Sequence, residues 1–299
     1  MGWRHESMLD NFKLNRGSDG LGSRRLILLV ALLMVGGLAS ADLVEAGRAT
    51  TQQERLTPIQ REIERQRQRL SSTEVEDRRD ALMHLGNLKR PEASRAAAAA
   101  LNDEIPIVRV AAAHAVLSLP PNEAAALLIP LLKDKDEFVR REAAFAIGKS
   151  RSRAAATMLA DLMLHDKKPS VRGAAAVALG QTGDESSLTA LAQVVTGQGS
   201  KKKKSKSFEE EFVVRAAVRS LGQIGSHSSV PTLISALQDE TNSIETRREA
   251  ATALGSIGDP SALSALQAAV AANNDPYLLE AARAAIRQIN HAKTKGAGI

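Results

Sequence analysis

The chain has 299 residues, 43% of them hydrophobic but only 2% aromatic, with no cysteine and a formal net charge of +6. The missing thiols exclude disulfides, thiolate nucleophiles and Cys-ligated zinc, and leave the redox compartment open. Ala, the best helix former, dominates the hydrophobes, and strand-favouring aromatics are nearly absent, so composition predicts an all-α protein.

The charge is local. Residues 1–41 hold five Lys/Arg against three Asp/Glu, and five lysines stand in the run KKKKSK at 201–206; without that run the chain after residue 41 is close to neutral. A basic field spread over the whole surface, of the kind that gathers nucleic acid, is not expected.

At the amino end, Arg24 and Arg25 precede an apolar run from Leu26 to Leu38, closed by Ala39-Ser40-Ala41 ahead of Asp42. A positive flank, a short apolar stretch and an A-x-A ending form the secretory signal pattern, with cleavage expected after Ala41. Residues 1–41 are read as that signal, and the expected location is exported, periplasmic or secreted. The run is shorter than the ~20 apolar residues of a bilayer span. An uncleaved anchor over residues 26–41 is the alternative, and the membrane is a partner only in that case. Met8 is a second candidate start, and Ser23-Arg24-Arg25 is partly like a twin-arginine signal without the residues that usually follow.

Residues 42–57 read as a linker. A helix over 58–71 follows: Thr57 can cap it, Pro58 suits the first helical position, and Gln60 completes a capping box. Leu56, Ile59, Ile63 and Leu70 make one apolar stripe on an otherwise polar helix, expected to cover the open end of what comes next.

From 72 to 290 the sequence repeats. VRREAAFAIG, VRGAAAVALGQTGD, VRAAVRSLGQIG and RREAATALGSIGD share an Ala-rich pattern that ends on Gly. Aligning that position places Gly86, Leu117, Gly148, Gly180, Gly222, Gly255 and Arg287 in register, about one per 31–33 residues except for one longer step. Each unit reads as two helices: an Ala-rich one whose Gly offers a left-handed C-cap, then a second with a Leu/Ile stripe, such as Leu128, Ile129, Leu132 or Leu233, Ile234, Leu237. One hairpin cannot hide both of its apolar faces, so the copies must stack. The first, second and last copies are degraded; terminal repeats face water, but the second copy has no such reason.

VRGAAAVALGQTGD and RREAATALGSIGDPSALSAL resemble HEAT repeats of the short bacterial kind found in phycocyanobilin-lyase HEAT-like proteins. The resemblance covers roughly residues 72–290. It implies an α-solenoid of about seven HEAT-like hairpins. Asp103 and Arg109, Asp134 and Arg140, and Asp166 and Arg172 each stand six residues apart across the turn between units. The resemblance implies that such pairs form a structural ladder linking neighbouring repeats; read as exposed pairs, each would be worth about 0.2–1 kcal/mol.

The longer step carries an insertion at 197–207, GQGSKKKKSKS, whose Lys201, Lys202, Lys203, Lys204 and Lys206 are candidate partner-binding residues. Lysines repel and Gly and Ser give no core, so a solvated loop is expected, able to meet an acidic protein or another anionic surface. Glu209, Glu210 and Glu211 follow and can neutralise part of that charge. The loop has no aromatic to stack bases, so nucleic acid is not an expected partner. Residues 291–299 read as a flexible tail.

Catalytic chemistry is scarce. His5, His84, His114, His165, His227 and His291 show no metal-ligand spacing, and each isolated one is expected to be partly buried on its helix. Ser226-His227-Ser228-Ser229 could place a nucleophile beside a base, but a turn with an N-cap accounts for it. No cofactor, metal or catalytic residue is assigned, and an enzyme is not expected. The alternatives drawn from the resemblance are a bilin lyase-like or a deoxyhypusine hydroxylase-like enzyme. The latter uses repeated His-Glu dipeptides, and here the only one is His5-Glu6, ahead of the cleavage site. A third alternative is a membrane-anchored adaptor with a polybasic loop. The leading expectation is an exported, non-enzymatic scaffold holding a protein or peptide on a concave face made by its second helices.

Overall fold

In the computed structural model of the chain, the described residues are 56–197, 208–272 and 275–296. The signal segment with Ala39, Ala41 and Asp42, most of the linker, and Lys201, Lys202, Lys203, Lys204 and Lys206 lie outside them.

Every regular element among the described residues is helical. The first compact unit ends at Arg61 and a second runs from Glu62 onward. In the first unit, the capping box forms as the sequence predicts: Thr57 N donates to Gln60 Oε1 at 2.9 Å and Gln60 N to Thr57 Oγ1 at 3.2 Å. Helix α1, Pro58–Arg69, starts there. Its apolar stripe is shorter than expected, because Ile59 is exposed whereas Ile63 and Leu70 join the core of the second unit.

The second unit is a row of hairpins. The first helices of the repeats are α2 (Val75–Asn87), α4 (Pro106–Ala115), α6 (Glu137–Ser150), α8 (Pro169–Thr182), α10 (Phe208–Ile224), α12 (Ile244–Ile257) and α14 (Pro276–Gly296). The second helices are α3 (Pro91–Ala97), α5 (Pro121–Leu128), α7 (Ala156–His165), α9 (Leu188–Thr196), α11 (Val230–Gln238) and α13 (Leu263–Ala272). Each second helix adjoins a short 3-10 turn, which follows α3 and α5 and precedes the other four; Pro130 explains why α5 gives way to one, since proline cannot bond back to the preceding turn. Among the described residues the array is therefore six hairpins and a closing helix. That closing helix continues to Gly296, through part of the segment expected to be a flexible tail.

Packing follows the repeat. Ala175, Ala176, Ala178 and Leu179 on α8 and Leu233 and Leu237 on α11 are fully buried, and the same positions of the other repeats form one continuous core. Neighbouring first helices lie against each other along most of their length, far more than neighbouring second helices do.

The aligned glycines have a different role from the one expected. They sit inside their helices, and the left-handed caps come three residues later, at Gly183 (φ +64°) and Gly258 (φ +77°) for example. At Lys89 and Arg151 the same conformation is held by residues with a β-carbon, φ +50° and +57°. What the aligned glycine provides is closeness. A Cβ on Gly148 would stand 2.9 Å from Ala178 Cα, and one on Gly255 2.7 Å from Ala285 Cα, both on the next first helix. The degraded second copy now has a reason. Helix α4 stops at Ala115, so Leu117 falls on a 3-10 turn, and α4 and α6 meet over a smaller area than α6 and α8. No glycine is needed where no helix comes that near.

Candidate functional site

Two features recur from repeat to repeat: a line of ion pairs along the inter-repeat turns, and an exposed stripe on the first helices.

The ion pairs use the predicted residues with a different pairing. Arg109 does not reach the carboxylate of Asp103. Its Nη1 donates to the Asp103 carbonyl at 2.7 Å, while Nε and Nη2 grip both carboxylate oxygens of Asp134 at 2.8 Å. Arg140 treats the Asp134 carbonyl and the Asp166 carboxylate in the same way. Arg172 donates to the Asp166 carbonyl at 2.8 Å and pairs forward with Glu210. Arg78, which the sequence reading missed, opens the series on Asp103 at 2.8 Å. Each Asp side chain also accepts the amide two residues on, as Asp134 does from Asp136 at 2.9 Å. The series stops at the fifth repeat, where Val214 occupies the arginine position.

These are not exposed pairs. The Arg109 and Asp134 side chains are 7% and 10% exposed, and those of Arg140 and Asp166 15% and 7%. Burial pushes the carboxyls of Asp103, Asp134 and Asp166 up, but the arginine and amide hydrogen bonds outweigh it and hold all three below the usual carboxylate range. The groups are saturated by one another, which makes the series structural.

The stripe is different. Counted back from the aligned position, Phe138, Phe212 and Tyr277 each stand ten residues before it, Arg79, Arg141, Arg215 and Arg248 seven before, and Met83 and Phe145 three before. Offsets of three, four and seven fall on one helical face. Met83 is 56% exposed, Phe212 39% and Tyr277 69%. Phe138 and Phe145 are half-buried. The Arg141 guanidinium lies 4.9 Å from the Phe138 ring centre, and that of Arg248, one repeat earlier, lies 5.9 Å from the Tyr277 ring. Gly173 makes room for Phe212 of the next repeat: a Cβ there would meet the ring at 2.2 Å. The sequence reading noted these aromatics as scarce and placed the binding face on the second helices, where Met158 is the exposed large hydrophobe. The repeat register was the signal that could have grouped them.

Other candidates do not assemble. His227 Nδ1 meets Asp259 Oδ2 at 2.8 Å, which with the Ser261 amide lowers the Asp259 carboxyl to about 2. Among the described residues no serine hydroxyl bonds to His227; Ser226 Oγ contacts Ser228 Oγ at 3.0 Å instead of capping a backbone amide, and the Ser229 hydroxyl is buried without a partner. Against expectation, His84, His165, His227 and His291 are exposed, and His114 alone of the five described is half-buried. Among the described residues no group of three or more His, Asp or Glu is placed to hold a metal ion, and no helix is long and apolar enough to cross a membrane.

The HEAT-repeat family model matches residues 63–145, 125–201 and 209–287, most of the chain. The chain belongs to the HEAT-repeat proteins. No curated protein matches it. Among solved structures it is similar to Escherichia coli YibA, with 20% identity, a TM-score of 0.52, and 77% of this chain and 81% of that one covered. It is also similar to the CpcE–CpcF complex of phycocyanin lyase from Nostoc, with 22% identity over 79% of this chain and 95% of that one and a TM-score of 0.45. Human deoxyhypusine hydroxylase is matched at 22% identity over 77% of this chain and 96% of that one, with a TM-score of 0.37. At these identities the likeness concerns the fold.

Proposed function

We propose that this chain is an exported HEAT-repeat scaffold without catalytic activity, and that it holds a protein or peptide partner on the exposed stripe of its first helices. The observation that supports this most is the repeated placement of Phe138, Phe212 and Tyr277 on a face that the fold does not fully cover, with Arg141 and Arg215 one turn from the two phenylalanines and Arg248 of the preceding repeat beside Tyr277. Aromatic and arginine side chains carry most of the binding energy at interfaces. They stand here on packed helices, so docking costs little ordering entropy. Export rests on the signal pattern that ends at Ala41.

Affinity capture from envelope and culture fractions, with the wild-type chain and with the F138A/F145A/Y277A variant, tests the face. The partner is expected on the wild type and lost from the variant at unchanged helicity. Equal retention by the variant moves the site elsewhere. Sequencing of the mature amino end tests export: a start at Asp42 supports it, and a start at Met1 or Met8 means the anchor is kept. A purified protein carrying bound pigment or iron would overturn the non-enzymatic reading.

A further inference from the structure

The turns that join the first and second helices within a repeat line the edge of the array opposite to the Asp–Arg series. In the first three repeats these turns, 88–92, 117–123 and 149–153, carry Lys89, Arg90, Lys149, Arg151 and Arg153. All five are exposed, and among the described residues none of them meets a carboxylate. Of the two carboxylates in the same turns, Glu123 is gripped through both oxygens by Arg95 of α3, at 2.9 and 3.0 Å. Glu92 alone stands against five cations.

Two of those cations sit on a costly backbone. Lys89 and Arg151 hold left-handed φ values of +50° and +57°, at the position that Gly183, Gly225 and Gly258 fill in later repeats. A β-carbon is disfavoured there, so glycine would suit both turns better, and what the side chain adds is its charge. The turns are also held in place. Ser152 Oγ donates to Asn122 Oδ1 at 2.8 Å, which joins the second turn to the third, and Ser94 Oγ donates to the Ala115 carbonyl at 2.6 Å.

We infer that this basic edge seats an acidic polypeptide segment. On the reading of the first-helix stripe as the partner's seat, the segment belongs to the same partner. Phe138, Arg141, Phe145 and Lys149 stand three, four and four residues apart, so one helical face leads from the aromatic rings to the basic turn. Three of the five cations are arginines, whose planar fork suits carboxylates, and Arg95 with Glu123 already makes that pair on this edge. The first and third turns lie about 20 Å apart at about 10 Å per packed helix. About six extended residues span that distance.

Other anions fit less well. The turns of the fourth and sixth repeats carry Asp184, Glu185 and Asp259, which an anionic bilayer laid along the whole edge would meet as like charges. Phe212 and Tyr277 belong to the fifth and seventh repeats, away from the basic turns, so rings and cations do not alternate along one track as a single-stranded nucleic acid requires.

The test is fluorescence anisotropy of the full chain with labelled poly-L-glutamate and with a random glutamate–tyrosine copolymer. Poly-L-glutamate is expected to bind with an affinity that falls as salt rises. The variant K89Q/R90Q/K149Q/R153Q, which breaks no ion pair, is expected to lose about tenfold at unchanged circular dichroism, and deletion of 198–207 less than that. An unaltered affinity in the quadruple variant overturns the inference, as does tighter binding of single-stranded DNA than of poly-L-glutamate at equal salt. The copolymer is expected to bind more tightly than poly-L-glutamate, and F138A/F145A/Y277A to remove that gain alone. A copolymer without the gain counts against the stripe, while the loss in the quadruple variant still supports the acidic seat.

Discussion

Arg109 is bound to Asp134, twenty-five residues ahead, and not to the carboxylate of Asp103, six residues behind. The two links it makes, carboxylate ahead and carbonyl behind, tie two consecutive inter-repeat turns through one side chain on the helix between them. The arginine of each repeat from the first to the fourth does the same, and the chain of contacts ends where the insertion enters and Val214 replaces the arginine.

Removing one member leaves a desolvated charge behind. D134A is expected to cost about 3 kcal/mol, the range for breaking a buried pair. E210A, whose side chain is half exposed, is expected to cost under about 1 kcal/mol. Urea denaturation of the two variants checks the contrast; equal losses would mean that burial does not set the strength of these pairs.

The same carboxylates set the acid limit. Their folded values lie below the ordinary Asp value of about 3.9, so the folded state binds fewer protons than the unfolded one near that pH. Their contribution is fully present above that value and is lost as pH falls through the depressed folded values. A thermal melt series should show a flat midpoint near neutrality and a fall beginning below pH about 4, weaker in a variant with Asp103, Asp134 and Asp166 changed to Asn.

Gly255 and Gly86 occupy the same repeat position but face different gaps. A Cβ would lie 2.7 Å from Ala285 Cα at the first and 3.3 Å from Ala115 Cα at the second. G255A is expected to destabilise by about 1–3 kcal/mol through overpacking of two backbones. G86A should be close to neutral, since the better helix propensity of Ala, up to about 1 kcal/mol, offsets a small adjustment. Denaturant midpoints decide the order.

Arg151 holds a left-handed cap at φ +57° where the next three repeats have glycine. R151G is expected to stabilise by about 1 kcal/mol, because the β-carbon no longer meets the following carbonyl. A lower melting temperature in this variant would show that the arginine side chain contributes more than its backbone costs.

Gly173 and Phe212 report on the proposed face. A methyl at 173 would push the ring off its seat, and the ring is exposed enough to swing out. G173A should keep its stability within about 1 kcal/mol, through gained helix propensity, yet shift the Phe212 ring resonances. An unshifted ring would mean that the contact is not held in solution.

Much of this protein was set by the sequence alone. An Ala-rich period of about 31–33 residues that ends on Gly, with turn residues such as Gly183-Asp184 after it, forces stacked helical hairpins, because no single hairpin can cover its own apolar sides. The capping box at Thr57 and Gln60 was legible for the same reason: both partners lie within one turn. What lay beyond one repeat was not legible. Asp103 and Arg109 are close in sequence, but the stacking turns the guanidinium toward the next repeat's carboxylate. Gly148 and Gly255 read as caps until the neighbouring helices came within 3 Å of where their β-carbons would be. Phe212 and Gly173, or Arg248 and Tyr277, belong to different repeats and meet only when these are laid side by side. Spacing along the chain fixes which residues share a helix face. Which residues face each other across neighbouring helices depends on how close and at what register the hairpins stack, and only the folded array decides that.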